Sequence, residues 1–119
     1  MRVRFRVAVY EKDGKRLSKE ILVGPREPLY IGIRYVVEFK YLEATKWLML
    51  AKDCQEKYLL LALLNFALGQ DTQAREFLQE ALKHERATDY LFVIEKPEEG
   101  LKVAIERIEA SLPDFLLSL

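Results

Sequence analysis

One cysteine, one histidine, one asparagine and one tryptophan occur in 119 residues. A lone Cys54 excludes an intrachain disulfide framework and a cysteine metal cluster, and it fits a reducing compartment. A lone His84 excludes a serine–histidine–aspartate triad and a centre built on paired histidines. Gly14, Gly24, Gly32, Gly69 and Gly100 stand singly, so no glycine-rich loop is available to cradle a phosphate. Glu98 and Glu99, and Glu106 and Glu109, have no second acidic cluster in the sequence to share a metal with them. The longest apolar run, YLLLALLNFAL at 58–68, has about half the length needed to cross a bilayer. The first residues alternate charge where a secretory signal would be apolar. From these absences the expectation is a cytoplasmic, non-enzymatic protein with no cofactor, no metal and no membrane contact.

Half of the residues are apolar and 32% are charged, a globular composition of single-domain size. The formal net charge is zero, but it is unevenly spread. Residues 1–34 hold nine bases against four acids, and residues 35–119 hold ten against fifteen, a surplus of five of each sign. Such asymmetry points to a docking partner or to one half docking on the other. Abundant charge with a single Asn65 also leans toward a thermophilic source.

RVRFRVAVY at 2–10 alternates Arg2, Arg4 and Arg6 with Val3, Phe5, Val7 and Val9, the period of a strand with one wet face. Asp13-Gly14 follows, and a second alternating run begins at Leu17, so strands over 2–10 and 17–23 are expected to form a hairpin, ended by Pro25 and Pro28. From Pro28 the period becomes helical. IGIRYVVEF at 31–39 fits either a third strand or the stripe Ile33, Val37, Tyr41, Ala44, Leu48 and Ala51. One long helix over 28–54 is favoured over a break near Lys40. Helices over 55–68 and 71–86 are expected next, the first ended by Gly69 and the second capped by Asp71, with Ala74, Phe77, Leu78, Ala81 and Leu82 inward. Residues 87–95 read as a short helix or an extended connection. Pro97-Glu98-Glu99 reads as the start of a last helix, with Leu101, Ala104, Ile105, Ile108 and Leu112 inward and Pro113 as its stop. The expected architecture is α+β: one domain over 1–119, with a β-hairpin at 1–24 packed on four or five mostly antiparallel helices at 28–112, and an apolar tail at 113–119.

QEKYLLLALLNFALGQDTQAREFLQEAL at 55–82 resembles a tetratricopeptide-type helical hairpin. The large, leucine and small positions of its first helix match Tyr58, Leu61 and Ala62, and Gly69 sits at the turn. Ala74, Leu78 and Ala81 match the second helix. Asn65 departs from the usual aromatic and Arg86 from the usual proline. Ala44-x3-Leu48-x2-Ala51, Ala74-x3-Leu78-x2-Ala81 and Ala104-x3-Ile108-x2-Ser111 recur every 30 residues, with Trp47 and Phe77 aligned. The resemblance implies protein–protein recognition on a helical surface. A HEPN-type ribonuclease is disfavoured, because Arg75 and His84 lack that family's arginine–histidine spacing.

The arginine strand leaves three readings open: a solvated sheet face, a surface docking on the acidic helices or on a second copy, or a nucleic-acid surface. Arg2, Arg4, Arg6, Tyr10, Lys12, Lys15 and Arg16 are its candidate residues. Zero net charge weighs toward docking or solvation. A homodimer is expected, because the 58–68 helix is apolar all round and Phe115, Leu116, Leu117 and Leu119 add apolar surface. The function expected is therefore a small interaction module whose partners are a second copy and an unknown protein, with RNA or DNA binding through the basic hairpin as the alternative.

Overall fold

The computed structural model describes residues 2–22, 24 and 26–119, excepting the side chains of 19 and 21. The chain folds as α+β, with five helices and a three-stranded antiparallel sheet among the described residues. In order they are β1 (Arg6–Tyr10), α1 (Pro28–Val37), α2 (Tyr41–Leu50), α3 (Gln55–Ala67), α4 (Asp71–Ala81), β2 (Leu91–Lys96), β3 (Leu101–Ile105) and α5 (Leu112–Leu117).

The helices form two hairpins of one design. Gly69 ends α3 in the left-handed region at φ 81°. There the Gln70 N–H reaches back to the Asn65 carbonyl and the Gly69 N–H to the Phe66 carbonyl, the paired bonds of a Schellman turn. Thirty residues earlier the Lys40 N–H binds the Tyr35 carbonyl and the Phe39 N–H binds that of Val36. Phe39 holds φ 61° in the glycine's place. Lys40 and Gln70 then have nearly equal dihedrals, −98°, 73° and −96°, 71°, and each accepts the first bond of the helix that follows. The expected single helix over 28–54 is thus broken at 38–40. The break falls near Lys40 as the weighed alternative had it, but with helix on both sides and without the glycine that would announce it. At Gly32, a Cβ would lie 2.8 Å from Leu48 Cγ, so α1 and α2 meet closely there.

The start of the expected N-terminal hairpin is present. Asp13 Oδ1 accepts from the Lys15 N–H, Gly14 takes φ 90°, and Tyr10 bridges Arg16. The return then leaves the sheet, because residues 19–22 wind into a 3-10 turn. Val23 and Pro25 lie outside the described residues. The strand β1 pairs with is β2, Val7 facing Ile94 and Val9 facing Phe92, and β3 pairs on β2's other side. This corrects the reading of 97–112 as a helix. Pro97–Glu99 make one 3-10 turn, Gly100 enters the left-handed region at φ 67°, and LKVAI returns as a strand with Ala104 exposed. LKVAI satisfies period two as well as period 3.6, and the turn decides between them. Pro113 opens α5 instead of stopping a helix, as a first-turn proline can. In the same way α4 ends at Ala81 and not at 86, which leaves Leu82 exposed.

Val7, Val9, Phe92, Ile94 and Ile105 face the helices and join one core with α3. Residues 59–67 of α3 are all buried, enclosed within a single chain. Leu112 and Leu116 are buried too, and Phe115, Leu117 and Leu119 pack against the core. The two features expected to require a second copy are satisfied internally.

Candidate interaction surface

The three arginines do not share a face. Strand β1 begins only at Arg6. Before it, the Arg4 N–H binds the Ala67 carbonyl, and its guanidinium grips both carboxylate oxygens of Asp71 at 2.8 and 3.2 Å. Asp71 is therefore an ion-pair partner in the first turn of α4. The N-cap is Gln70, which corrects the capping role expected of Asp71. Arg2 is exposed, as are Lys12 and Lys15 at the turn.

Arg6, Tyr10 and Arg16 meet on the outer sheet face, where the register aligns Arg6, Glu95 and Lys102 across the three strands. Glu95, almost buried, takes two bonds from Arg16 at 3.0 and 3.1 Å and one from the Tyr10 hydroxyl at 3.4 Å. Through that bond Glu95 raises the Arg16 pKa further. Lys102 Nζ and Arg16 Cζ lie 4.7 and 5.7 Å from the Tyr10 ring centroid. Arg6 rests on Phe39 at 5.0 Å. Much of the candidate basic face is thus committed to carboxylates or rings of its own chain, which leaves few cations free for phosphates.

A second polar cluster joins the start of α3 to the end of α4. The Tyr58 hydroxyl donates to Asp53 Oδ1 at 2.7 Å, its ring stacks on His84 at 5.1 Å, and His84 Nε2 lies 3.2 Å from Glu80 Oε1. The bond to Asp53 pushes the Tyr58 phenol up to about 12 and holds Asp53 below its usual range. Glu80 is held low by its bond with His84 and then by Lys83. A phenol so firmly protonated is a poor acid or base at neutral pH. Burial pushes the Cys54 thiol up, which disfavours the reactive thiolate. Among the described residues no three metal-ligating side chains gather, and no helix is long and apolar enough to cross a membrane.

The Tyr58 bond carries a pH signature. The folded state keeps this proton above the ordinary phenol range, so the stabilisation is complete below pH 10 and is lost as pH rises toward about 12. Tyrosinate absorbance of the native protein should include a phenol titrating near 12 that Tyr58→Phe removes, beside the phenols of Tyr41 and Tyr90, which burial also pushes up; a high-pH titration unchanged in Tyr58→Phe would contradict it.

The surface that sequence reading passed over lies on α2. Phe39, Leu42, Met49 and Leu50 are 46, 50, 52 and 69% exposed, four of the five large exposed apolar side chains among the described residues. At 100° per residue, Leu42, Lys46, Met49 and Leu50 fall on one arc, opposite the buried Tyr41, Ala44 and Leu48. Helix α2 has two apolar faces, and only one of them meets the core. The signal was available: Leu42, Met49 and Leu50 lie off the stripe Tyr41, Ala44, Leu48 and Ala51.

Fold and surface together define an α+β domain in which two helical hairpins of one design pack against a small sheet, with an apolar helix face turned outward. No protein-family model, curated protein or solved structure matches this chain.

Proposed function

We propose that this chain is a small non-enzymatic protein–protein interaction module whose contact surface is the outer face of α2, with Phe39 at its head. The observation that carries this reading is the concentration of half-exposed apolar side chains in residues 39–50. An apolar patch of this kind on an otherwise charged small domain marks a contact site more often than chance exposure. The tetratricopeptide-like reading adds to it. The 30-residue repeat places Ala44, Leu48 and Ala51 of the first hairpin where Ala74, Leu78 and Ala81 stand in the second, and all six are buried. Its third copy, 104–111, falls on β3 and the following loop. Because α3 is enclosed, the second hairpin acts as scaffold, and the first offers the surface.

Two measurements test this. Immobilised wild-type chain should retain a protein, a second copy or another, that a Leu42→Asp/Leu50→Asp chain loses. Oligonucleotides at near-physiological salt should bind no tighter than non-specific affinity, roughly 10⁻⁴ M. Micromolar, salt-sensitive binding that falls with Arg6→Ala and Lys102→Ala would replace the proposal with a nucleic-acid function.

A further inference from the structure

We infer that the partner of this surface is a second copy of the chain, and that the two α2 helices pair antiparallel about a two-fold axis crossing between Ala44 and Thr45. The inference rests on the interaction-module reading and names its partner.

Two observations carry it. The first is the charge pattern. Within the apolar arc α2 exposes one base, Lys46, and at the arc's edge beside Leu50 one acid, Glu43, neither with an ion-pair partner among the described residues. An axis between Ala44 and Thr45 sets Glu43 opposite the partner's Lys46, and by symmetry does so twice. The same register sets Phe39 opposite the partner's Leu50 and Leu42 opposite the partner's Trp47. Parallel pairing in register would face Glu43 with the partner's Glu43 and Lys46 with the partner's Lys46. An antiparallel axis through Lys46 would face the two lysines. The chosen register pairs each of the two α2 charges with its opposite and sets Phe39, Leu42 and Leu50 against apolar side chains of the partner, while Met49 falls level with the partner's Lys40.

The second observation is Phe39. A non-glycine residue at φ 61° carries backbone strain, and the equivalent turn of the second hairpin avoids it with Gly69. The turn leaves Phe39 half-exposed, with Arg6 over its ring, at the rim of a hollow of about 410 Å³ that Val3, Tyr41, Leu42 and Leu68 line together with the charged Arg6, Lys40 and Glu43. In the antiparallel pair the partner's Leu50, the most exposed of the four, faces this hollow. A single helix seam buries less than a standard interface, so a micromolar dissociation constant is expected.

Sedimentation equilibrium on the full chain at about 10 to 200 μM tests this. The wild type should approach twice 14.0 kDa. Leu50→Asp should weaken association at least ~100-fold, a loss of about 2.7 kcal/mol. Glu43→Lys and Lys46→Glu should each weaken it ~10-fold, and the double exchange should return it to near the wild-type value. Phe39→Gly separates interface from fold: it should hold or raise the melting temperature while association falls. A monomeric wild type, a dimer indifferent to Leu50→Asp, or a double exchange as weak as either single one overturns the inference. If the wild type is monomeric yet captures another protein through Leu42 and Leu50, the pairing falls and the interaction-module reading stands. Loss of both results removes both.

Discussion

Phe66→Ala is expected to lower stability by about 4 kcal/mol, the upper range for a large-to-small core change. Phe66 is fully buried in the last turn of α3, among the largest enclosed side chains of the molecule. The loss combines the transfer energy of the removed ring with a cavity the surroundings can only partly fill. Collapse is hindered on both sides, because the Phe66 carbonyl is tied to the Gly69 N–H and the neighbouring Ala67 carbonyl to the Arg4 N–H. For a domain of ordinary stability, roughly 5–15 kcal/mol, the loss is a large share of the total. The melting temperature should fall by roughly 15 °C. Leu82→Ala, at an exposed position past the end of α4, is the control and should shift it little. A Phe66→Ala loss under about 1 kcal/mol in urea titration would contradict the enclosed core.

Glu56→Ala is expected to cost about 3 kcal/mol, for a different reason. Glu56 is 0% exposed, yet it is a carboxylate in the first turn of α3. It accepts from the Ala87 N–H at 2.9 and 2.8 Å, from the Thr88 hydroxyl at 2.6 Å and from the Thr88 N–H, with Arg86 Nε 3.7 Å away. The Gln55 N–H meanwhile binds the Glu85 carbonyl. These bonds anchor the segment that carries the chain from α4 into β2, so the loss reaches the sheet as well as the loop. Glu56→Gln keeps the volume but turns amide protons toward backbone donors, and about half the loss is expected. Hydrogen exchange should show the damage concentrated at 85–95. Unchanged protection there in Glu56→Ala would refute the anchoring role.

Neither residue drew notice in the sequence, because their importance lies in what surrounds them. Glu56 reads as an ordinary first-turn acid, and its bonding partners are some 30 residues away. The dimer expected from the apolar 58–68 helix fared similarly: an all-apolar helix requires burial on every side, but whether one chain or two provides it depends on packing. The new candidate face on α2 was partly legible, since a helix with two apolar stripes has one more than a single core can use. Its sharpest element, Phe39 in a left-handed turn, was hidden because phenylalanine does not announce positive φ as glycine does.

What the sequence determined by itself is local chemistry: a helical period over 28–54 and another over 55–68, though not the break at 38–40, together with the glycine turn at 69, the Asp13-Gly14 turn, and the α+β class. These depend on contacts a few residues apart, where spacing and turn preference decide. The tertiary structure decided which strand joins β1. Local pairing offered the run from Leu17, seven residues away, but among the described residues the return gives the Tyr10–Arg16 bridge and a Leu17 N–H bond to the Val9 carbonyl before residues 19–22 wind into a turn. LFVIEK, some 80 residues distant, supplies Phe92 and Ile94 to the core face of β1 and pairs along its whole length. The physical reason is that a strand's worth lies in the face it buries, and that face exists only once α3 and the helices around it are assembled.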